Sequence, residues 1–172
     1  MPYINGKKIR PIIADSGTFG FYGEGYWWHW LAFPFICWLK WFGTFVSKTV
    51  TVQVRKGNMP LTADGQPREW FPKCIFLDWK RFWKGSMLNA VGLSNFGITM
   101  HLIWLQVWQP RRPWFFSVMP MGATSGEKIY ECGELAEQIS YHRERVIHDP
   151  IVVVNISCPN TGEEIACVGS DV

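Results

Sequence analysis

The sequence has no cysteines paired in the C-x-x-C manner. Its five cysteines, at positions 37, 74, 132, 158 and 167, are odd in number and scattered. That argues against a disulfide framework and a zinc site, and for a reducing compartment. Like charges do not gather in blocks: 17 Lys and Arg stand against 14 Asp and Glu, for a net charge of +3. No nucleic-acid partner is expected from such a balance. Low-complexity tracts and short-period repeats are also missing, which excludes a solenoid. A membrane-spanning helix needs roughly 20 predominantly apolar residues in a row, and the Trp-rich stretch 26–42 falls short of that. The start, Met1-Pro-Tyr-Ile-Asn-Gly-Lys-Lys-Ile-Arg10, lacks the apolar centre of a signal peptide. A cytoplasmic chain is expected.

What is present fits a globular protein. Hydrophobic residues make up 48% and charged residues 18% of 172 positions, enough for one domain with a sizeable core. The stretch 26–42 holds five of the 11 tryptophans, with Pro34 near its middle and His29 and Lys40 inside it. Tryptophan and lysine suit a membrane interface. The position of the stretch, between the first two strands, instead assigns it to a helix and its loops.

Strand and helix patterns alternate along the chain. Asn5-Gly6-Lys7 between Tyr3-Ile4 and Lys8-Ile9 is a hairpin signal. Pro11 to Gly17 reads as a short buried strand opening into a polar loop, and Phe45 to Val54 as a second, β-branched strand. Residues 59–73, with three prolines, read as an ordered loop. A helix is expected from Ile98 to Trp108, stopped by Pro110, then a buried strand from Trp114 to Met119. The tract Thr124–Tyr141 predicts a helix with Ser125 as N-cap and an apolar stripe of Ile129, Leu135 and Ile139. The run Ile151-Val-Val-Val154 predicts a strand buried on both faces, as in parallel sheets. This alternation makes the chain α/β with a parallel sheet.

The polar residues just beyond the apolar runs are the candidates for chemistry. Asn155 carries a donor and an acceptor whose burial calls for partners, and a ligand is one. Cys158, held extended by Pro159, is either a small buried filler or a thiol able to act as acid, base or nucleophile. Lys48 stands among apolar neighbours, either as an edge lysine with a solvated head or as a cation placed against developing negative charge. Asp15-Ser16-Gly17 is either a plain turn or a loop whose backbone approaches a ligand. Asn89, Gly92, Leu93, Asn95 and Gly97 form a glycine-rich loop of the same ambiguity.

Asn155-Ile-Ser-Cys158-Pro-Asn160 resembles the active-site signature of the dihydroorotate dehydrogenase family. Leu88-Asn-Ala-Val-Gly92-Leu-Ser-Asn-Phe-Gly97 resembles the family's substrate loop almost residue for residue. Ser47-Lys-Thr-Val-Thr51, followed by Arg55-Lys-Gly-Asn58 and Pro60, is similar to the family's continuation after its second strand. The resemblance implies FMN-dependent oxidation of dihydroorotate to orotate in pyrimidine biosynthesis, with Cys158 as the base, a choice typical of the family's soluble branch. It assigns flavin contacts to Ser16, Gly17, Lys48 and Asn155, and substrate contacts to Lys48, Asn89, Gly92, Leu93, Asn155 and Asn160. Asp15 departs from the small neutral residue usual beside the flavin.

The implied fold is the N-terminal half of a (β/α)8 barrel, about four βα units after a small β-hairpin, because a complete barrel takes about 250 residues. Residues 1–172 are then a single incomplete barrel domain. Half a barrel leaves unpaired edges, with rows such as Val152–Val154 facing solvent, and implies self-association or a missing C-terminal half. Dihydroorotate or orotate is the expected small-molecule partner, and a membrane surface is not. The alternative is a non-enzymatic remnant that binds a partner or a membrane surface through residues 26–42.

Overall fold

A computed structural model gives the fold over residues 2–27, 29, 33–77, 87–110 and 112–156. Tyr3–Ile4 (β1) and Lys7–Lys8 (β2) pair antiparallel. The residues between them, Asn5 and Gly6, have φ of 49° and 73°. Positive φ at both central positions is what a two-residue hairpin turn of this kind requires, and Asn-Gly adopts it at least cost. In chain order there follow β3 (Ile12–Ile13), α1 (Phe33–Phe42), β4 (Gly43–Thr44), β5 (Ile75–Leu77), β6 (Met87–Asn89), α2 (Ile98–Leu105), β7 (Phe115–Val118), α3 (Ser125–His142) and β8 (Ile151–Val154). A single 3₁₀ turn, Arg143–Arg145, follows α3.

Four extended segments lie side by side, parallel and in chain order. β3 pairs with β4, β7 pairs with β8, and parallel bridges at Val46–Phe115 and Val50–Val118 join the two pairs. One face of this array carries Trp114, Phe116 and Val118, which pack with Val50 and Val52 against Ile98, Leu102 and Leu105 of α2 and Leu135 and Ile139 of α3. On the other face, Val46, Phe115 and Ile151 pack with Ile9 and Ile4 from the hairpin region. The alternation along β7 therefore feeds two cores, as expected of a strand covered on both sides. Trp114 is fully buried and its indole N–H donates to His148 O at 3.2 Å, so its large apolar area is hidden without an unmet donor. Truncating it to alanine would cost about 3–5 kcal/mol.

Three local expectations change. The N-cap of α3 is Thr124, not Ser125: its side chain accepts from Glu127 N–H while Glu127 accepts from Thr124 N–H, a reciprocal capping box. Leu135 and Ile139 face the core, but Ile129 is 73% exposed, because its spacing from Leu135 puts it on another side of the helix. In β8, Ile151 is buried while Val152, Val153 and Val154 are 43, 37 and 49% exposed. Among the described residues β8 has a strand neighbour on one side only, and its valines stay partly uncovered on both faces, as in an unclosed array. The region 75–89 adds an antiparallel pair, β5–β6, that the sequence patterns do not announce. No helix among the described residues is long and apolar enough to cross a membrane.

Candidate active site

The second segment of the array is not a regular strand. Between the bridges at Val46–Phe115 and Val50–Val118, four residue steps on one side face three on the other. The extra residue is a β-bulge, and it falls at Lys48–Thr49. Ser47 N–H donates to Phe115 O at 2.9 Å, Ser117 N–H donates to Ser47 Oγ at 2.9 Å, and Val50 N–H donates to Ser117 O at 3.0 Å. Lys48 N–H leaves this ladder and donates to Gly20 O at 2.9 Å. Bulges re-aim side chains, and here two consecutive residues enter different surroundings.

Thr49 joins a polar cluster at the C-terminal ends of the strands. Its Oγ1 lies 2.8 Å from Ser117 Oγ and 3.2 Å from Ser16 Oγ, and it accepts from Asn155 Nδ2 at 3.2 Å. Ser16 Oγ donates to Ser47 O at 2.8 Å. One hydroxyl or amide thus comes from each of the four parallel segments. Beside them opens a cleft of about 710 Å³, whose lining includes Ile13, Asp15, Ser16, Ser117, Val153 and Asn155. Asp15 Oδ1 accepts from Ser16 N–H at 2.8 Å, so a carboxylate lies at the rim of this cleft.

Lys48 is 8% exposed, and its Nζ finds no hydrogen-bond partner among the described residues. The ammonium sits 5.0 Å from the centre of the Phe21 ring. Burial pulls its pKa down from 10.5 to about 8, against smaller upward pulls from Cys74 and Glu24. Gly17, with φ of 79°, lies against the Lys48 stem: a Cβ there would stand 3.4 Å from Lys48 Cγ. Burial raises the Cys74 thiol above its ordinary value despite the nearby Lys48 charge.

The loop 89–97 is braced from outside. Asn89 Oδ1 accepts from Val91 N–H at 3.1 Å, and Gly92 and Leu93 take φ of 68° and 58°. Positive φ at leucine is strained, and it persists because Asn95 pins the turn. Asn95 Nδ2 donates to Leu93 O at 2.6 Å and to Thr51 Oγ1 at 3.0 Å, while Oδ1 accepts from Gly97 N–H at 2.8 Å. Arg55 and Asn95 exchange backbone hydrogen bonds at 3.0 and 2.9 Å, and Asn58 N–H donates to Val91 O at 2.9 Å. His101, fully buried, accepts from Phe96 N–H at Nε2 (3.3 Å) and contacts Tyr22 Oη at Nδ1 (2.7 Å). Burial holds its pKa down at about 3, so the ring is neutral. Thr49 and Ser117 do structural work that motif reading passes over, and their signal is a polar residue near a strand end; Asn95, singled out in the glycine-rich loop, braces that loop from within.

No protein-family profile matches the chain. Curated relatives do. It is 31% identical over 167 residues to dihydroorotate dehydrogenase A (fumarate) of Lacticaseibacillus paracasei, covering 94% of this chain and 45% of that protein. Against dihydroorotate dehydrogenase B (NAD(+)), catalytic subunit, it is 27% identical over 171 residues in Geotalea uraniireducens and 29% in Trichlorobacter lovleyi, each covering 98% of this chain. The chain is similar over nearly its whole length to part of the dihydroorotate dehydrogenases. It spans 45% of the length of these relatives.

Within this dihydroorotate dehydrogenase homologue, the residues singled out by sequence fall into three places. Ser16 and Asn155 meet through Thr49 at the cleft. Gly17 and Lys48 lie against each other, and Asn89, Gly92 and Leu93 share the braced loop. Lys48, Asn89, Gly92 and Leu93 are not among the cleft-lining residues. Cys158 and Asn160 lie outside the described residues. No group of three or more His, Cys, Asp or Glu suited to a metal occurs among the described residues.

Proposed function

We propose that the chain is the first half of a (β/α)8 barrel and carries part of the site of an FMN-dependent dihydroorotate dehydrogenase, cytoplasmic and inactive by itself. The observation that carries this reading is Lys48. A buried ammonium with no hydrogen-bond partner among the described residues is expensive, and an electron-rich ligand beside it would remove that cost. The Ser16 hydroxyl and the Asn155 amide at the cleft suit a flavin ring; Lys48 and Gly17, which lie against each other outside the cleft lining, would supply a cation and an open backbone to the same ring. FMN, when bound, supplies the acceptor for the hydride of dihydroorotate. Lys48 favours negative charge accumulating next to it. Asn155 and Asn160, with Asn89, Gly92 and Leu93 from the braced loop, orient the cyclic amide of the substrate. Cys158 takes the proton from the neighbouring carbon as the ring is oxidised to orotate.

The test is completion. Co-expressing residues 1–172 with the remaining part of the Lacticaseibacillus paracasei relative should yield a yellow complex that oxidises dihydroorotate. In that complex Cys158→Ser should keep the flavin and slow its single-turnover reduction sharply, because a serine hydroxyl is a far weaker base. A folded but colourless complex would overturn the reading. One observation favours the alternative of a binding module acting through residues 26–42: Phe33, Phe35 and Trp38 of α1 are each about half exposed. Partner or vesicle capture that depends on those three residues, without flavin in the completed complex, would support it.

A further inference from the structure

Residues 59–73, the loop with three prolines, take no part in the assignments made above, yet they end in a braced turn with an aromatic tip. Arg68 N–H donates to Pro60 O at 2.8 Å and Gln66 Nε2 donates to Gly25 O at 3.0 Å, which fastens the loop to itself and to the segment after β3. Glu69 Oε2 accepts from Lys73 N–H at 3.2 Å, Ile75 N–H donates to Pro72 O at 3.0 Å, and Pro72 is buried. Between these anchors stand Trp70 and Phe71, 70% and 82% exposed. Both rings contact Trp27, with centroids 4.5 Å apart for Trp70 and 5.8 Å for Phe71. Two adjacent large aromatics held in water by a closed turn keep their apolar surface hydrated, a cost that a bound surface would remove.

The charges around the tip select the kind of surface. Arg68 and Lys73, on either side of it, are exposed. Glu69, the acid between them, is half-buried and its carboxylate is turned to the Lys73 N–H. Asp64, the other acid of the loop, accepts from Thr62 and stands outside the turn. The sequence continues with Lys80, Arg81 and Lys84 against Asp78. Tryptophan seats at the headgroup level of a bilayer, phenylalanine at the acyl boundary, and cations meet anionic headgroups. A protein partner would need a cavity for two rings with acidic groups on both sides of it, whereas an anionic bilayer offers that combination over its whole surface. We infer that the turn 68–73 is a peripheral membrane anchor, docking the chain on a bilayer of anionic lipid with Trp70 and Phe71 inserted and Arg68 and Lys73 against the headgroups. Residues 26–42 taken alone do not predict a membrane surface, and the fold adds what they lack, an aromatic pair on Trp27 with cations beside it. The anchor is distinct from α1 and independent of the flavin reading.

Flotation tests it. The full chain is placed beneath a density gradient with vesicles of phosphatidylcholine alone, or of phosphatidylcholine and phosphatidylglycerol in equal parts. Self-associated chain without lipid stays at the bottom, so only lipid-bound chain rises. Wild type is expected to float with the anionic vesicles and roughly tenfold less with the neutral ones, the preference fading in high salt. Trp70→Ser combined with Phe71→Ser should lower binding to anionic vesicles roughly tenfold or more; both side chains are exposed, so the fold tolerates the change. Lys73→Glu keeps the aromatic tip and should bind anionic vesicles severalfold less well than wild type, with binding to neutral ones unchanged. No flotation of wild type, or flotation undiminished in the double variant, would overturn the anchor, the second result assigning lipid contact to another apolar surface. Loss of self-association in the double variant, with no flotation of wild type, would make the turn a contact between copies and overturn it equally. Flavin uptake by the completed barrel bears on the enzyme reading alone, and flotation still decides this one.

Discussion

Lys48 sets the balance between stability and function at the scale of one residue. Its pKa is about 8 in the folded chain against 10.5 for a free lysine, with burial as the leading cause. The unfolded chain binds the proton as pH falls through 10.5, and the folded chain binds it only near 8. Stability therefore declines as pH falls across that window, and below it the cost is constant, on the order of 3 kcal/mol. Lys48→Met keeps the stem and removes the charge. The variant is expected to be more stable than wild type at pH 7 by up to that amount, with the difference closing near pH 10.5, read from urea midpoints. Equal midpoints at pH 7 would mean that the ammonium reaches water. His101 has the same sign: with its pKa at about 3 in the fold, it withdraws stability as pH falls below 6.5.

At the scale of elements, two glycines predict opposite outcomes. Gly57 has φ of 52°, and a Cβ there would stand 2.3 Å from Ser94 Oγ and 2.7 Å from Val91 O, pressing on the loop that carries Asn89, Gly92 and Leu93. Gly57→Ala should cost about 2 kcal/mol or more and expose residues 89–97 to limited proteolysis. Gly133 lies within α3, where a Cβ meets nothing within 4 Å. Gly133→Ala should stabilise by up to about 1 kcal/mol, the helix-propensity difference. A shift of the urea midpoint in the same direction for both would contradict this picture of the brace. The capping box at Thr124 was half legible, since a Thr-Ser pair before Glu127 offers two caps and only backbone geometry selects one.

For the whole molecule, the open array decides behaviour. β8 carries three partly exposed valines, and Ile13 on β3 is 51% exposed. In a parallel ladder alternate residues bond to opposite sides; Ile151 N–H donates to Trp114 O and Asn155 N–H to Val118 O, so Val152 and Val154 direct theirs to the side with no strand neighbour among the described residues. Such an apolar edge invites pairing with another chain. Purified alone, the chain is expected to elute from gel filtration as dimers or larger species, with no flavin absorbance. A yellow, monodisperse monomer that oxidises dihydroorotate would show that the half-barrel proposal is wrong.

Sequence by itself determined the order of the four parallel segments and of the helices between them, the Asn5-Gly6 turn and the likeness to dihydroorotate dehydrogenases. Each depends on local chemistry: β-branched runs, a dipeptide suited to positive φ, and contiguous motifs that survive translation into any fold. The bulge at Lys48–Thr49, the partners of Asn155 and the exposure of Val152–Val154 were decided only by tertiary structure. A bulge is a mismatch between two strands 60 to 70 residues apart, visible in neither. Whether an apolar run is covered depends on what lies next to it in space, and a single strand does not encode its neighbours.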